Sequence, residues 1–264
     1  MKPTKQIKHH SSSAVDNAFI LIELLTSTNQ PMSVMEISRA LDISRTTAYA
    51  LVASLMNHHC LERCEATKKY ALGYRFYEIG TMYRYQFPFL STAEKYMVPV
   101  FEKWNLRMNL WVIKEPAVAV ILLSMDDSLI PEIPHGYVVH AHATASGKLL
   151  MAYQHPEITD RWISEMEFPT ITAKTITEKY ALREELKRIY SQGFSTEDGE
   201  LTIGRACIAA PIRDMTGEVI AAVSFAGDHE KIFGNYAELV EQICALGQSI
   251  SISLGYNPLR SARQ

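Results

Sequence analysis

Hydrophobic residues recur at helical spacing in two short segments near the N-terminus, separated by a tight polar turn. The first segment runs from Ser33 to Leu41, and Ser33 with Glu36 forms a capping box at its start. The second begins at Ser44, a preferred N-cap residue. The apolar faces carry Val34, Ile37 and Leu41 in the first and Ala48, Leu51, Val52 and Leu55 in the second. Two capped amphipathic helices around a tight turn predict a helix-turn-helix.

The outward face of the second helix carries donors suited to nucleic acid. A recognition helix presents its first turns to base edges in the major groove, and its N-terminus attracts phosphate. The alternative is an ordinary surface helix after a turn. We predict contact with double-stranded DNA through Ser44, Arg45, Thr46, Thr47 and Tyr49.

Two short strand-like runs follow, one over residues 58–63 and one over residues 67–73, around a polar turn. A hairpin in this position predicts a β-wing, the element with which a winged helix contacts the DNA backbone. Lys68 and Lys69 are placed for phosphate contact. The alternative is a solvated hairpin tip without a partner.

The remaining pattern predicts four segments in order. Residues 1–12 are polar and predict a flexible arm, and residues 13–73 form the winged helix-turn-helix. Its first helix spans residues 13–28, with a buried stripe of Val15, Phe19, Ile22 and Leu25 or Leu21. Residues 74–87 predict a linker helix that ends before Pro88, and residues 88–260 predict an effector-binding and oligomerisation domain.

The C-terminal segment has the pattern of an α/β sensor domain. Apolar runs of strand length occupy residues 118–123, 208–212 and 219–226, and residues 214–217 predict a hairpin turn between the last two runs. A helix opens at Ser146 and reaches about Tyr153, and a capped helix from Glu178 to Gln192 is stopped by Gly193. Strand pairs flanked by helices predict an α/β fold of the α+β type.

Composition and charge are those expected of such a protein. The chain has 264 residues, 47% of them hydrophobic, which is enough for two domains. Residues 1–86 carry 10 Lys or Arg against 7 Asp or Glu, whereas the remainder carries 16 against 22, so a mildly basic head is joined to an acidic body. No apolar stretch suits a membrane span or signal peptide, and four scattered cysteines suit a reducing compartment. We therefore expect a cytoplasmic protein.

A small-molecule site is predicted where the loop from Thr144 to Gly147 meets the strands of Cys207 and Ser224. A loop of small residues that feeds a helix N-terminus offers unpaired N–H groups to a carboxylate. Arg205 could pair with that carboxylate bidentately, although a solvent-facing arginine is the alternative. Cys207 is read as a small buried residue rather than a reactive thiol.

The rival class is a metal-binding protein or a small hydrolase. Zinc could be assembled from two groups, although neither has convincing ligand spacing: His140, His142 and Cys207, or Cys60, Cys64, His58 and His59. Ser146 and Lys148 could act as nucleophile and base, but no third orienting group is visible. We predict no catalytic residue, no metal and no cofactor.

Five motifs in order resemble the isocitrate lyase regulator (IclR) type of bacterial transcription factor. The resemblance covers about residues 13–255 and rests on Ser13-Ala14-Val15-Asp16, Ser44-Arg45-Thr46-Thr47-Ala48-Tyr49, Tyr70-Ala71-Leu72-Gly73, Ala141-His142-Ala143-Thr144-Ala145-Ser146-Gly147-Lys148 and Gly204-Arg205-Ala206-Cys207-Ile208-Ala209-Ala210-Pro211. It implies a winged helix, a linker helix that mediates dimerisation and a GAF-like effector domain with a mainly antiparallel sheet.

The resemblance also implies roles for particular residues. Ala145 and Ser146 would supply amide contacts to the effector, Cys207 and Ser224 would line the floor, and Glu197 or Asp198 would hydrogen-bond a hydroxyl or carbonyl. Two departures stand out. Asp42 replaces the usual turn glycine, a change that a left-handed backbone tolerates. The stretch between residues 94 and 134 lacks the usual glycine-rich connections, which leaves the sheet order there open.

The sequence thus predicts a ligand-responsive transcriptional regulator that acts as a homodimer or tetramer. Its winged helices would bind palindromic operator DNA, and its second domain would sense a small organic acid of a catabolic pathway. Repression is the commoner outcome for proteins of this resemblance, and aromatic or sugar-derived acids are their usual ligands.

Overall fold

The computed structural model describes residues 13–114, 118–126 and 138–258, which divide into two compact units at the boundary between Gln86 and Phe87. We call them the N-terminal unit and the C-terminal unit. The predicted N-terminal arm, residues 1–12, lies outside the described residues.

The N-terminal unit contains four helices and a two-stranded hairpin among its described residues. Their order is α1 (Ser13–Thr28), α2 (Val34–Ala40), α3 (Arg45–Asn57), β1 (Leu61–Arg63), β2 (Tyr70–Leu72) and α4 (Arg75–Arg84). The two strands pair antiparallel, with Glu62 opposite Ala71. Its small core draws on α1, α2, α3 and β1, with these buried side chains: Leu21, Leu25, Val34, Ile37, Ala48, Val52, Leu55 and Leu61.

The predicted caps of the helix-turn-helix are confirmed. The Ser33 hydroxyl accepts from the Glu36 N–H, and the Glu36 carboxylate accepts from the Ser33 N–H, which completes the capping box. The Ser44 hydroxyl accepts from the Thr47 N–H at 3.1 Å. Asp42 has φ +52°, so the aspartate adopts the left-handed backbone of the turn.

The predicted buried stripe of α1 is wrong at two positions. Leu21 and Leu25 are buried, but Val15 and Phe19 are more than half exposed. The helix is apolar on more than one side, and α2 and α3 cover only the side that carries Leu21 and Leu25. Periodicity alone could not tell which apolar side the unit buries.

The C-terminal unit is a six-stranded antiparallel sheet with helices on both faces. Its elements follow in order: α5 (Phe89–Trp104), β3 (Arg107–Lys114), β4 (Val118–Met125), β5 (Val138–His140), a 3-10 turn (Ala141–Ala143), α6 (Ala145–Ala152), α7 (Pro156–Glu165), α8 (Lys179–Gln192), β6 (Ser195–Asp198), β7 (Arg205–Arg213), β8 (Val219–Asp228), α9 (His229–Gly234) and α10 (Tyr236–Ser253). The strand order is β5-β4-β3-β8-β7-β6.

Each face of this sheet has its own core. On one face α5, α9 and α10 pack against a continuous apolar surface that includes Met108, Val223 and Phe225. On the other face α6, α7 and α8 pack around Trp111, Ile121 and Ala222. Because side chains alternate along a strand, β3, β4 and β8 each contribute residues to both cores.

Several predicted elements differ in extent or detail. The three predicted strands and the turn at residues 214–217 are present, and the strands are longer than predicted. Gly193, at φ +85°, ends α8 as predicted, but Glu178 makes no side-chain cap at its start. Helix α5 was not predicted, because Pro99 lies inside it and interrupts the pattern expected of a helix. No described helix is long and apolar enough to cross a membrane.

Gly247 allows α10 to lie close to the sheet. A β-carbon at this position would lie 2.7 Å from the Pro211 carbonyl oxygen, which belongs to the backbone of β7 and cannot move aside cheaply. Glycine is a poor helix former, so its place in the middle of α10 reflects this close approach.

We predict that Gly247→Ala destabilises the C-terminal unit by about 1–3 kcal/mol, although alanine favours helix by about 1 kcal/mol. Urea unfolding followed by tryptophan fluorescence measures this unit alone, because Trp104, Trp111 and Trp162 all lie in it. Gly234→Ala is the matched control, since no described atom lies within 4 Å of the added carbon. Equal stability of the two variants would contradict the close packing.

Candidate DNA interface and effector site

The first turns of α3 are exposed on the side predicted to contact DNA. Arg45, Thr46 and Thr47 are exposed, Tyr49 is 61% exposed, and only Ala48 between them is buried. The hydroxyls of Ser44 and Thr47 lie 2.8 Å apart and share a hydrogen bond as part of the cap. All five predicted residues therefore lie on the exposed surface at the N-terminus of α3: Ser44, Arg45, Thr46, Thr47 and Tyr49.

The two lysines of the predicted wing lie on the hairpin, each beside a carboxylate. Lys68, at φ +58°, pairs with Glu65 at 2.6 Å, and Lys69 pairs with Glu36 at 3.0 Å. Met32 and Tyr70 exchange backbone hydrogen bonds, so the wing is tied to the segment before α2 twice. The sequence indicated Lys69 but not its partner Glu36, because the two residues lie 33 positions apart in the chain.

Glu36 holds its charge through several donors. The Ser33 backbone N–H contributes most, followed by the Lys69 amine and the Ser33 hydroxyl, and together they lower the pKa of Glu36 from 4.5 to about 2. One carboxylate therefore caps α2 and anchors the wing.

In the C-terminal unit, the predicted effector loop forms the start of α6. Thr144 is the N-cap, and its hydroxyl accepts from the Gly147 N–H at 3.0 Å. The N–H groups of Ala145 and Ser146 belong to the first helical turn and have no intrahelical acceptor. Thr144, Ala145 and Ser146 are all buried. The helix N-terminus therefore offers two enclosed amides to an anion.

The sheet beneath α6 carries polar side chains on its facing surface. Ser224 lies between Asn109 and Ala209 in the strand register, and its hydroxyl accepts from the Trp111 indole N–H at 3.1 Å. The Ser124 hydroxyl donates to the Asn109 amide oxygen at 2.8 Å. No short-range signal in the sequence marks Asn109 and Trp111 as neighbours of Ser224, which lies more than a hundred residues later in the chain.

Glu197 and Cys207 face each other across β6 and β7. Burial raises the pKa of the Glu197 carboxyl, against the hydrogen bond that it accepts from the Glu200 N–H at 2.9 Å. Burial also raises the pKa of the Cys207 thiol well above its ordinary range, with the Glu197 charge adding to the effect. A thiol held in its neutral form agrees with the interpretation of Cys207 as a small packed residue.

Two predicted effector residues lie apart from this cluster. Asp198 follows Glu197 in β6, so its side chain is on the opposite face, where it pairs with Lys174 at 2.8 Å and His229 at 2.6 Å. Arg205 pairs with Asp228, its cross-strand neighbour, at 2.8 Å. Of the two carboxylates, only Glu197 shares the sheet face of Cys207, and Arg205 is paired with a protein carboxylate.

Lys148 does not have the environment of a catalytic base. Its amine is 1% exposed and pairs with Glu200 at 2.5 Å, with Glu185 at 3.7 Å. The sequence signal for this buried ion pair was available, because Lys148 stands alone in the apolar helix from Ala145 to Ala152.

The predicted alternatives with zinc gain no geometric support. No group of three or more His, Cys, Asp or Glu is arranged to hold a metal in residues 13–114, 118–126 and 138–258. His142 is fully buried beside Phe168, and burial lowers the pKa of its imidazole.

A groove of about 930 Å³ opens at the other end of α6. Met151, Ile163 and Leu186 contribute to its apolar lining, and Arg183 pairs with Asp160 at 3.0 Å on its wall. None of the predicted effector residues lines it among the residues described. The buried cluster at the start of α6 and this groove are separate features.

A winged helix-turn-helix joined to an α/β unit with an enclosed polar cluster defines a class of DNA-binding regulators. The bacterial transcriptional regulator IclR C-terminal family model matches residues 85–252, and the IclR helix-turn-helix domain model matches residues 14–64. The chain belongs to the IclR family of transcriptional regulators, which are not enzymes. The predicted family, fold class and absence of enzymatic activity are confirmed.

Individual relatives agree with this assignment. The HTH-type transcriptional regulator BhcR of Paracoccus denitrificans is 26% identical over 81% of this chain and 77% of its own length. The IclR protein of Thermotoga maritima has a TM-score of 0.75 at 26% identity, covering 92% of this chain and 98% of that structure. An IclR homologue of Microbacterium hydrocarbonoxydans, complexed with 4-hydroxybenzoate, has a TM-score of 0.78 at 22% identity, covering 91% and 98%.

We predict that the Glu36 carboxyl titrates with a pKa of about 2 in an NMR titration. Because folding favours its charged form, its contribution to the free energy of unfolding is complete above pH 4.5 and is lost as the pH falls from 4.5 towards 2. Glu36→Gln should remove that part of the pH dependence. Lys69→Met should raise the pKa only partway, because the Ser33 N–H remains. Titration near 4.5 in the wild type would rule out this network.

Proposed function

We propose that the protein is a ligand-responsive repressor that binds palindromic operator DNA and releases it when a small organic acid occupies the C-terminal unit. The observation that carries the proposal is the pairing, in one chain, of an exposed polar recognition helix with an enclosed polar cluster at the start of α6. The first supplies contacts to DNA, and the second supplies buried amides and a carboxylate to which a small acid with a second polar group can hydrogen-bond. Such a regulator acts in the cytoplasm.

The chemistry of the cluster favours an acid that carries a second polar group. The Ala145 and Ser146 amides suit a carboxylate, whereas Glu197 on β6 suits a hydroxyl that donates a hydrogen bond. Trp111 and Ser224 contribute an aromatic surface and a hydroxyl between them. The Microbacterium relative was solved with 4-hydroxybenzoate, an aromatic acid with such a hydroxyl. We infer that this chain recognises a hydroxy acid of similar design.

Exposed apolar side chains on the N-terminal unit support a homodimer. Helix α4 exposes Tyr77 at 80% and Met82 at 66%, and α1 exposes Phe19 at 61%. A monomer rarely leaves so many large apolar groups in water, so we infer that a second copy covers them. Pairing two winged helices about a two-fold axis matches a palindromic operator. A tetramer would pair two such dimers.

Effector binding alters transcription only if it favours one arrangement of the two N-terminal units of the dimer. Helix α4 and the first helix of the C-terminal unit are consecutive in the chain, so a change in the C-terminal unit has a short covalent path to the dimerising helix. The effector must bind one arrangement more tightly than the other, because equal affinity for both shifts no equilibrium.

A gel-shift assay tests both halves of the proposal. The purified protein is titrated against the intergenic DNA beside its own gene, with and without a panel of organic acids that includes 4-hydroxybenzoate. A specific shift that one acid releases supports the whole proposal. A specific shift indifferent to every acid supports only the DNA-binding half, and equal affinity for random DNA overturns that half.

We predict that base-reading and backbone-contacting residues respond differently to substitution. Arg45→Ala and Thr47→Ala should each lower operator affinity by about 1–3 kcal/mol and leave binding to random DNA nearly unchanged. Lys68→Ala and Lys69→Ala should weaken binding to both DNAs and reduce the salt slope by up to about 1 each. Fluorescence anisotropy across a salt series measures both quantities. If all four variants lose the same fraction of affinity for both DNAs, α3 does not read sequence.

We predict that Glu197→Gln weakens the effector response, whereas Asp198→Asn preserves it. The two residues are adjacent in β6 but lie on opposite faces, and only Glu197 faces α6. A neutral amide accepts a hydroxyl hydrogen bond less strongly than a carboxylate, so the acid concentration that releases operator should rise by roughly ten-fold. An equal response of the two variants would place the effector elsewhere.

We predict that Tyr77→Lys dissociates the dimer. A lysine in the apolar patch of α4 would have to be desolvated for the second copy to bind. Sedimentation velocity should then show a smaller species at micromolar concentrations. Tyr180→Lys is the control, because Tyr180 is 75% exposed on α8 of the C-terminal unit. A Tyr77→Lys protein of wild-type sedimentation would exclude this face from the interface.

A further inference from the structure

A lysine amine is buried in the second turn of α6, directly after the amides of the proposed effector site. Lys148 is 1% exposed, and every other residue from Ala145 to Met151 is buried as well. Its amine contacts Glu200 at 2.5 Å and Glu185 at 3.7 Å. A buried amine retains its charge only when such partners replace water. The ion pair therefore fixes the Glu200 side chain relative to α6.

Glu200 in turn holds Glu197. The Glu200 backbone N–H donates to the Glu197 carboxylate at 2.9 Å. On its other side, the Glu200 carbonyl accepts from the hydroxyls of Thr175 at 2.7 Å and Thr172 at 3.3 Å. The segment is thus held by the threonines through its backbone and by Lys148 through its side chain, and Glu197 depends on both.

We propose that Lys148 is a positioning residue of the effector site: through Glu200 it fixes the Glu197 carboxylate at a set distance from the first-turn amides of α6. Helix α6 then carries both the amides that bind the effector's carboxylate and Lys148, which holds Glu197 in place. Glu197 in turn binds the effector's second polar group. This inference rests on the proposed function, but the positioning of Glu197 can be tested without a known ligand.

An ion pair that positions Glu197 also affects the pKa of the Glu197 carboxyl, whereas an ion pair that only stabilises the fold does not. Three groups act on its carboxyl from the elements packed around it: Lys148 of α6, Glu200 of the following loop and Cys207 of β7. The Lys148 charge lowers the pKa of Glu197, and the Glu200 charge raises it. Removing either charge disturbs the fold, but the two removals must move the titration of Glu197 in opposite directions.

The test is an NMR titration of the full chain with glutamate labelled at the side-chain carboxyl carbon, in which Glu197→Gln assigns the signal. Lys148→Met should raise the pKa of Glu197, Glu200→Gln should lower it, and Lys148→Arg should leave it close to the wild-type value. Lys174→Met is the matched control, because Lys174 pairs with Asp198 on the opposite face. An unchanged Glu197 titration in Lys148→Met overturns the proposal.

One further variant guards against loss of folding. Lys148→Met alone leaves Glu200 and Glu185 without their amine, whereas Lys148→Met with Glu200→Gln removes both charges of the pair and should fold. In this double variant the acid that releases operator, or 4-hydroxybenzoate as the probe, should bind roughly ten-fold more weakly by calorimetry, because the carboxylate is no longer held in place. Wild-type affinity in the folded double variant overturns the proposal.

These outcomes separate the inference from the function beneath it. If no acid binds the wild type, the proposed function fails, and the titration still decides whether Lys148 positions Glu197. If an acid binds and the titration does not move, the function stands and the positioning role is excluded.

Discussion

The burial of α6 from Ala145 to Met151 is the constraint on which the C-terminal unit depends. This helix lies against β3, β6, β7 and β8 on one side and α8 on the other, and only its last residue, Ala152, is partly exposed. Every polar group that it carries must find a partner inside the protein. Thr144 satisfies Gly147, and Glu200 satisfies Lys148. The polar cluster at its start therefore follows from the burial of this helix.

The two faces of the sheet differ in polarity. The face under α5 and α10 is continuously apolar, with Met108, Leu110 and Phe225 fully buried, and it holds the strands in register. The face under α6 includes Asn109, Ser224 and Glu197, whose desolvation weakens the fold unless each finds a hydrogen bond. The apolar face stabilises the unit enough for the other face to carry polar groups.

The structural features that the sequence predicted correctly are mostly local. The caps at Ser33 and Ser44, the turn at Asp42 and the hairpin at residues 214–217 are each specified within about four residues, so their patterns could be interpreted directly. The order of the strands could not, because β3 pairs with β8 far along the chain. The directions of Asp198 and Arg205 were also hidden, since they depend on His229 and Asp228 from another strand end. The exposure of Val15 and Phe19 depends on which apolar side of α1 the unit covers.

The pairing of β3 with β8 also sets the order in which the two units fold. The N-terminal unit closes through contacts within the first 86 residues, whereas the central strand β3 pairs at once only with β4 and gains its second partner, β8, roughly a hundred residues later. Because domains fold as they leave the ribosome and distant pairings form late, the growing chain carries a finished DNA-binding head before its sheet exists. A nascent or truncated chain would thus contain a folded helix-turn-helix without a folded C-terminal unit to control it.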